Sequence, residues 1–279
     1  MHQDALELQN KVVDIRKKII ELSAVAGGGH LGGSLSMADA LVALYYHVLK
    51  YDPKNPDWPE RDRFILSKGH GALGLCPVLC DAGYYAEEMM ANFNDLDSPF
   101  GMHPDMNKIP GIEMSTGSLG HGLSVAVGVA LSGKLDKADW RVFCLLGDGE
   151  CDEGMVWEAA MSASHFKLGN LTAVVDRNGY SLDGPTEEIM ALEPFAEKWR
   201  SFGWDCREVD GHDMDQLLEA FDKVGDAGGD TPTCIISNTV KGKGVSFMEN
   251  ANEWHYAGCD DELTAQALEE LEACRPERG

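Results

Sequence analysis

Three short, unbroken apolar runs, each closing in a glycine-containing turn, constrain this chain more than any other feature. Val142-Phe143-Cys144-Leu145-Leu146 runs into Gly147, Leu171-Thr172-Ala173-Val174-Val175-Asp176 into Arg177-Asn178-Gly179, and Cys234-Ile235-Ile236-Ser237-Asn238-Thr239-Val240 into Lys241-Gly242. A strand apolar on both sides is buried on both sides, which is the condition of a parallel sheet covered by helices. Helical patterns separate the runs, over Glu153 to Phe166, Glu193 to Phe202 and Asp213 to Val224. The first half is mostly helical, with segments predicted at Leu6 to Val25, Ser36 to Leu49 and Ser118 to Ser132. Strand–helix alternation predicts an α/β fold, a parallel β-sheet flanked by helices. There is no repeat and no low-complexity linker, and the proline-rich stretch from Asp52 to Pro59 is short enough for a surface loop. One domain over residues 1–279 is expected, with 260–279 as an acidic tail or a last helix.

Charge and hydropathy exclude whole classes of function. Lys+Arg 23 against Asp+Glu 47 leaves a net charge of −24, which opposes general binding to nucleic acid or an anionic membrane. No run reaches the roughly 18 apolar residues of a membrane span. The polar start, Met1-His2-Gln3-Asp4, carries no secretory pattern, so a cytoplasmic location is expected. The eight cysteines form no CxxC pair, and Cys144 and Cys234 sit inside apolar runs as buried thiols.

In sheets of this kind, ligands lie beyond the carboxyl ends of the strands. Asp148, between Gly147 and Gly149, and Asn178 each follow a predicted strand. A carboxylate, an amide oxygen, a main-chain carbonyl and diphosphate oxygens make a hard oxygen shell suited to Mg²⁺ or Ca²⁺. Gly-Asp-Gly and Asn-Gly are also ordinary turn sequences, and only their pairing on consecutive strands favours a site. Four histidines, His30, His70, His103 and His121, stand in glycine- or proline-rich loops with little to pack against. Such histidines serve hydrogen bonding and proton transfer, and together they suggest a polar pocket for an oxygen-rich substrate. The helix after Ser118 carries Gly120, Gly122, Ser124, Ala126, Gly128 and Ala130, a density that suggests close packing within the chain or across an interface. Glu153 and Glu158 read from physics alone as solvated helix charges.

Seven ordered blocks resemble the N-terminal, diphosphate-binding half of transketolase, a thiamine diphosphate enzyme, from about residue 6 to residue 258. They are Gly-His-Leu-Gly-Gly-Ser at 29–34, Ser-Lys-Gly-His-Gly at 67–71, Gly-Met-His-Pro at 101–104, Ser-Thr-Gly-Ser-Leu-Gly-His-Gly at 115–122, Gly-Asp-Gly-Glu at 147–150, Asp176 to Asn178, and Lys-Gly-Lys-Gly at 241–244. The resemblance implies a thiamine diphosphate-binding fold with Asp148, Asn178 and the Tyr180 carbonyl as ligands of Mg²⁺ or Ca²⁺. It implies cofactor contacts from His70, Gly117, Ser118, Leu119, Gly147, Asp148, Gly149, Glu150, Asn178 and Lys241. His30, His70, His103 and His255 are implied as the catalytic histidines around the reacting carbon. Glu153 and Glu158 match glutamates near the subunit interface. The implied reaction moves a two-carbon ketol unit from a ketose to an aldose, with the cofactor as electron sink.

Three places depart from the family pattern: His121 replaces a common glutamine, Gly28-Gly29 makes the first loop unusually glycine-rich, and Arg177 precedes the ligand asparagine. Family members also need a glutamate from a second, pyrimidine-binding domain, and this sequence stops where that domain would begin. The resemblance therefore implies half an enzyme, completed by a separate C-terminal transketolase subunit in an α₂β₂ assembly. An α-ketoacid dehydrogenase E1 α subunit shares the Gly-Asp-Gly to Asn spacing but is not expected to carry the His70 and His103 blocks. A split enzyme acting on a sulfonated, branched or secondary-metabolite sugar, and a non-catalytic partner subunit, are the other readings.

Overall fold

The computed structural model describes residues 5–226 and 228–276. Its centre is a five-stranded, wholly parallel sheet in the order β1-β2-β3-β5-β4, built from β1 (Arg63–Leu66), β2 (Val142–Gly147), β3 (Leu171–Arg177), β4 (Asp205–Asp210) and β5 (Thr233–Asn238). The three apolar runs form the adjacent strands β2, β3 and β5. Alternate residues divide between the two faces: Phe143 and Leu145 join one core, while Val142, Cys144 and Leu146 join the other. This two-sided burial is why the runs carry no polar alternation.

Helices cover both faces: α1 (Ala5–Val25), α2 (Leu31–Ser36), α3 (Ala38–Ala43), α4 (Ala72–Asp81), α5 (His121–Asp136), α6 (Gly154–His165), α7 (Thr186–Ile189), α8 (Phe195–Ser201), α9 (Met214–Asp222) and α10 (Asp261–Ala273). The acidic C-terminal segment is a helix: Asp260 caps it by accepting from the Leu263 N–H, and Ala267 and Leu271 are buried in the core that α1 shares.

Two strands escape the sequence pattern. β1 is only four residues, and β4 (Asp-Cys-Arg-Glu-Val-Asp) is an edge strand whose charged residues mask Cys206 and Val209, its two buried positions. Three predicted boundaries shift. The helix expected from Ser36 begins at Ala38 and ends in a π-helical turn over Leu44–Val48. Ser36 itself closes α2, with its hydroxyl donating to Asp176 Oδ2 at 2.6 Å. The helix expected from Ser118 starts at His121, because Gly120 takes φ +79° and gives its N–H to Glu150 Oε1 at 2.9 Å. Strand β5 stops at Asn238, and the Val240 N–H turns to His212 Nε2 at 2.9 Å.

The small residues of α5 serve close packing within the chain at two points. A Cβ on Gly122 would come within 2.6 Å of Ser67 Cα, and one on Gly133 within 2.5 Å of the Trp140 ring, whereas Gly128 faces open space. Parallel register places Gly147 opposite Asp176 and Asp176 opposite Ser237, so the loops after β2, β3 and β5 emerge at one edge.

Candidate active site

At that edge lies a cavity of about 600 Å³, within the usual range for a small-molecule site. Asp148, Asn178 and Tyr180 line it together, as do His30, His70, His103 and His255. Gly117, Leu119, Gly147, Gly149, Glu150 and Lys241 also reach it, so blocks distant in sequence converge on one cavity. Ser118 and His121 are not among the lining residues; His121 is exposed and its Nδ1 lies 3.0 Å from the Leu119 carbonyl. Glu153 is at the rim, while Glu158 is exposed on α6.

Asp148 is buried and held by backbone. Its Oδ1 accepts from the Gly149 N–H at 2.8 Å, and its Oδ2 from the Gly179 N–H at 2.6 Å. Arg177 Nη1 adds a contact to Oδ2 at 3.2 Å. Burial first, and then the nearby Asp176 carboxylate, push the Asp148 carboxyl up to about 6. Asn178 is fixed beside it, donating from Nδ2 to Asp176 Oδ2 at 3.0 Å and accepting the Tyr180 N–H at its Oδ1 at 3.1 Å.

Behind this pair sits a polar cluster whose assembly no sequence motif discloses, although Lys68 and Asp176 lie in two of the seven ordered blocks. Asp176 accepts from Lys68 Nζ at 2.6 Å, and from the hydroxyls of Ser36 and Thr239. Burial alone would raise the Asp176 carboxyl, but the Lys68 ammonium reverses this and holds it below the usual carboxylate range. Lys68 also donates to the Gly33 carbonyl at 3.1 Å. The local signal is a lysine two residues after a mostly buried strand and directly before glycine. Glu150 spends both oxygens on structure, accepting from Ser67 Oγ and the Gly120 N–H on Oε1 and from the Gly147 N–H on Oε2. It clasps the 117–120 loop to β2, and burial raises its carboxyl.

The imidazoles form one group. Ring centroids of His30 lie 4.9 Å from His70, 5.4 Å from His255 and 6.5 Å from His103. Burial lowers every one of them, to about 4 for His30 and His255 and to about 2 for His70. All four are therefore neutral near pH 7, each offering one donor and one acceptor nitrogen. Lys241, buried, donates from Nζ to the Ser181 carbonyl at 2.9 Å and lies 2.9 Å from His255 Nδ1. Burial lowers its ammonium to about 8.

The residues suit an anionic cofactor held through a divalent cation. His30 Nδ1 is buried in the cavity wall without a hydrogen-bond partner, a nitrogen left for a bound group. A Cβ at Gly117 would come within 3.2 Å of the His103 ring, so backbone must approach the cavity there without a side chain. Asp148 and a diphosphate are both anions, and a cation between them would offset their repulsion within one buried cavity. Among the described residues no group of three or more His, Cys, Asp or Glu side chains is arranged to hold a metal. A metal shell here would draw on Asp148, the Asn178 amide, the Tyr180 carbonyl and the ligand's own oxygens.

Fold and cavity define a class: a parallel α/β domain with a polar, small-molecule-sized cavity at the carboxyl edge of its strands. Residues 8–274 match the family model described as "Transketolase, thiamine diphosphate binding domain", and the chain belongs to that family. The chain is 43% identical over 272 residues to the 6-deoxy-6-sulfo-D-fructose transketolase subunit of Clostridium sp. (strain MSTE9), covering 98% of each. It is 41% identical over 271 residues to one subunit of the apulose-4-phosphate transketolase of Phocaeicola vulgatus, covering 97% of this chain and 95% of that one. Transketolase from Campylobacter jejuni superposes with a TM-score of 0.89 at 31% identity, over 98% of this chain but only 43% of that longer one. No helix among the described residues is long and apolar enough to cross a membrane.

Proposed function

We propose that this chain is the diphosphate-binding half of a two-subunit transketolase that moves a two-carbon ketol unit from a ketose to an aldose acceptor. One observation carries the reading: four neutral imidazoles and the Asp148–Asn178–Tyr180 set face a single cavity. Thiamine diphosphate bound there would supply a carbanion-stabilising electron sink. Asp148, Asn178 and the Tyr180 carbonyl would hold Mg²⁺ or Ca²⁺ against its diphosphate, with Lys241 as a further cation. Contact with Lys241 makes His255 Nδ1 the acceptor, so His255 presents its Nε2–H as a donor. The neutral ring of His30, in the cavity lining, can take or return a proton at a substrate hydroxyl, and His70 and His103 can hydrogen-bond neighbouring oxygens.

Similarity over 98% and 97% of this chain to relatives named as subunits supports a separate partner chain. In this proposal that partner carries the pyrimidine-binding domain, and the two assemble as α₂β₂ in the cytoplasm. Those relatives are named for a sulfonated ketose and a phosphorylated one, which supports a donor sugar bearing an anionic group. The test is capture of this chain from its native cells with mass spectrometry of what accompanies it, followed by a ketol-transfer assay of the pair. A companion that restores transfer supports the proposal. A chain that is captured alone and turns over ketose unaided contradicts the two-subunit reading, and one inert with every companion contradicts the enzymatic one.

A further inference from the structure

Arg177 stands beside Asp148, where the transketolase resemblance offers no role for it, and its surroundings suggest one. The guanidinium is largely buried and shared among four acceptors. Nη1 contacts Asp148 Oδ2 at 3.2 Å and donates to Thr186 Oγ1 at 2.6 Å. Nη2 donates to Glu187 Oε1 at 2.7 Å and to Glu193 Oε1 at 3.2 Å. The two glutamates are themselves anchored: Glu187 accepts from the Leu192 N–H at 3.1 Å, and Glu193 Oε2 from the Phe195 N–H at 2.8 Å. One cation therefore serves three carboxylates, one facing the cavity and two on the chain around α7, a segment that also sends Ile189 to the cavity wall.

Orientation of Asp148 does not depend on Arg177, because the Gly149 and Gly179 N–H groups already hold both carboxylate oxygens. What Arg177 adds is charge. A divalent cation seated on Asp148 would share that carboxylate with the guanidinium, and the two positive groups would repel. Glu187 and Glu193 oppose this by drawing the guanidinium's charge toward themselves.

Taking the metal site of the proposed function as given, we infer that Arg177 is a resident counter-cation of Asp148 that competes with the divalent metal, and that Glu187 and Glu193 set how strongly it competes. It is a positioning residue acting through Asp148. Metal affinity is then tuned by substitutions on either side of the arginine, with opposite signs.

The test is titration with Mn²⁺, followed by loss of the free-ion paramagnetic resonance signal, at saturating thiamine diphosphate and pH 7.5. It uses the full chain with its companion subunit. Arg177→Met should tighten Mn²⁺ about threefold to tenfold, and Arg177→Lys, which restores the charge, should move affinity back toward wild type. The double variant E187Q/E193Q, which leaves Asp148 as the one carboxylate among the guanidinium's hydrogen-bond partners, should weaken Mn²⁺ by a similar factor. Unchanged or weaker binding in Arg177→Met, or a double variant that shifts in the same direction as Arg177→Met, overturns the inference while leaving the metal site in place. Wild-type protein that takes up no Mn²⁺ overturns both.

Discussion

The Lys241 ammonium lies 2.9 Å from His255 Nδ1, joining the loop after β5 to the histidine cluster of the cavity. Burial holds this lysine at about 8, so its charge is present at neutral pH and is lost as pH rises through that value. Thiamine diphosphate affinity of the wild type should fall as pH climbs above 8. Lys241→Met should bind about ten- to a hundredfold more weakly at pH 7 and lack that alkaline step, as expected for losing a hydrogen bond to a charged group. Calorimetric titrations from pH 7 to 9.5 check both.

Asp148 combines a binding role with a cost to the fold. Its carboxyl, pushed up to about 6 by burial and by Asp176, is charged at pH 7 against the preference of its surroundings. A carboxyl raised in this way favours the folded state when protonated, and that contribution is lost as pH rises through about 6. Asp148→Asn should abolish metal-dependent cofactor binding while Tm at pH 7, measured without metal, does not fall. The Tm advantage over wild type should shrink as pH drops from 7 to 5. A clear loss of Tm at pH 7 would show the carboxylate to be a structural requirement.

Lys68 and Asp176 form a buried ion pair, 3% and 2% exposed, where breaking one side strands a charge. Lys68→Met should destabilise the chain by about 3–5 kcal/mol in urea unfolding, and adding Asp176→Asn should recover part of that loss. The depressed Asp176 carboxyl favours the fold above the ordinary carboxylate range, and this contribution fades in acid as pH falls through its lowered value. Additive losses in the double variant would mean that the two charges are not coupled.

His103 is the least constrained of the four imidazoles: it alone among them is exposed, and partial desolvation is the one cause that lowers it. His103→Ala should reduce kcat about a hundredfold, in the range of lost acid–base assistance, with cofactor affinity within about twofold of wild type. Steady-state kinetics paired with cofactor titration separate the two effects. Wild-type turnover would assign His103 to structure.

What the sequence discloses follows from how each feature is encoded. Strands β2, β3 and β5 are legible because two-sided burial leaves no polar alternation, and the turns after them carry Asp148, Asn178 and Lys241 into the cavity. The edge strand β4 hides because only Cys206 and Val209 are buried among four charged neighbours. The helix start at Ser118 misleads because Gly120's left-handed backbone and its bond to Glu150 are tertiary facts. The cluster of Ser36, Lys68, Asp176 and Thr239 comes from four separate segments, and no local pattern predicts its assembly. Arg177 is visible in the sequence as a departure, but its glutamate partners emerge only when the chain around α7 folds back onto it.

The most direct test of the account is calorimetric titration of thiamine diphosphate into this chain, with and without its companion, in Mg²⁺ and then in excess chelator. Saturable binding that requires Mg²⁺ and disappears in Asp148→Ala is the predicted result. Equal affinity in chelator, or in Asp148→Ala, would remove the metal from the cavity, and no binding in any state would remove the cofactor.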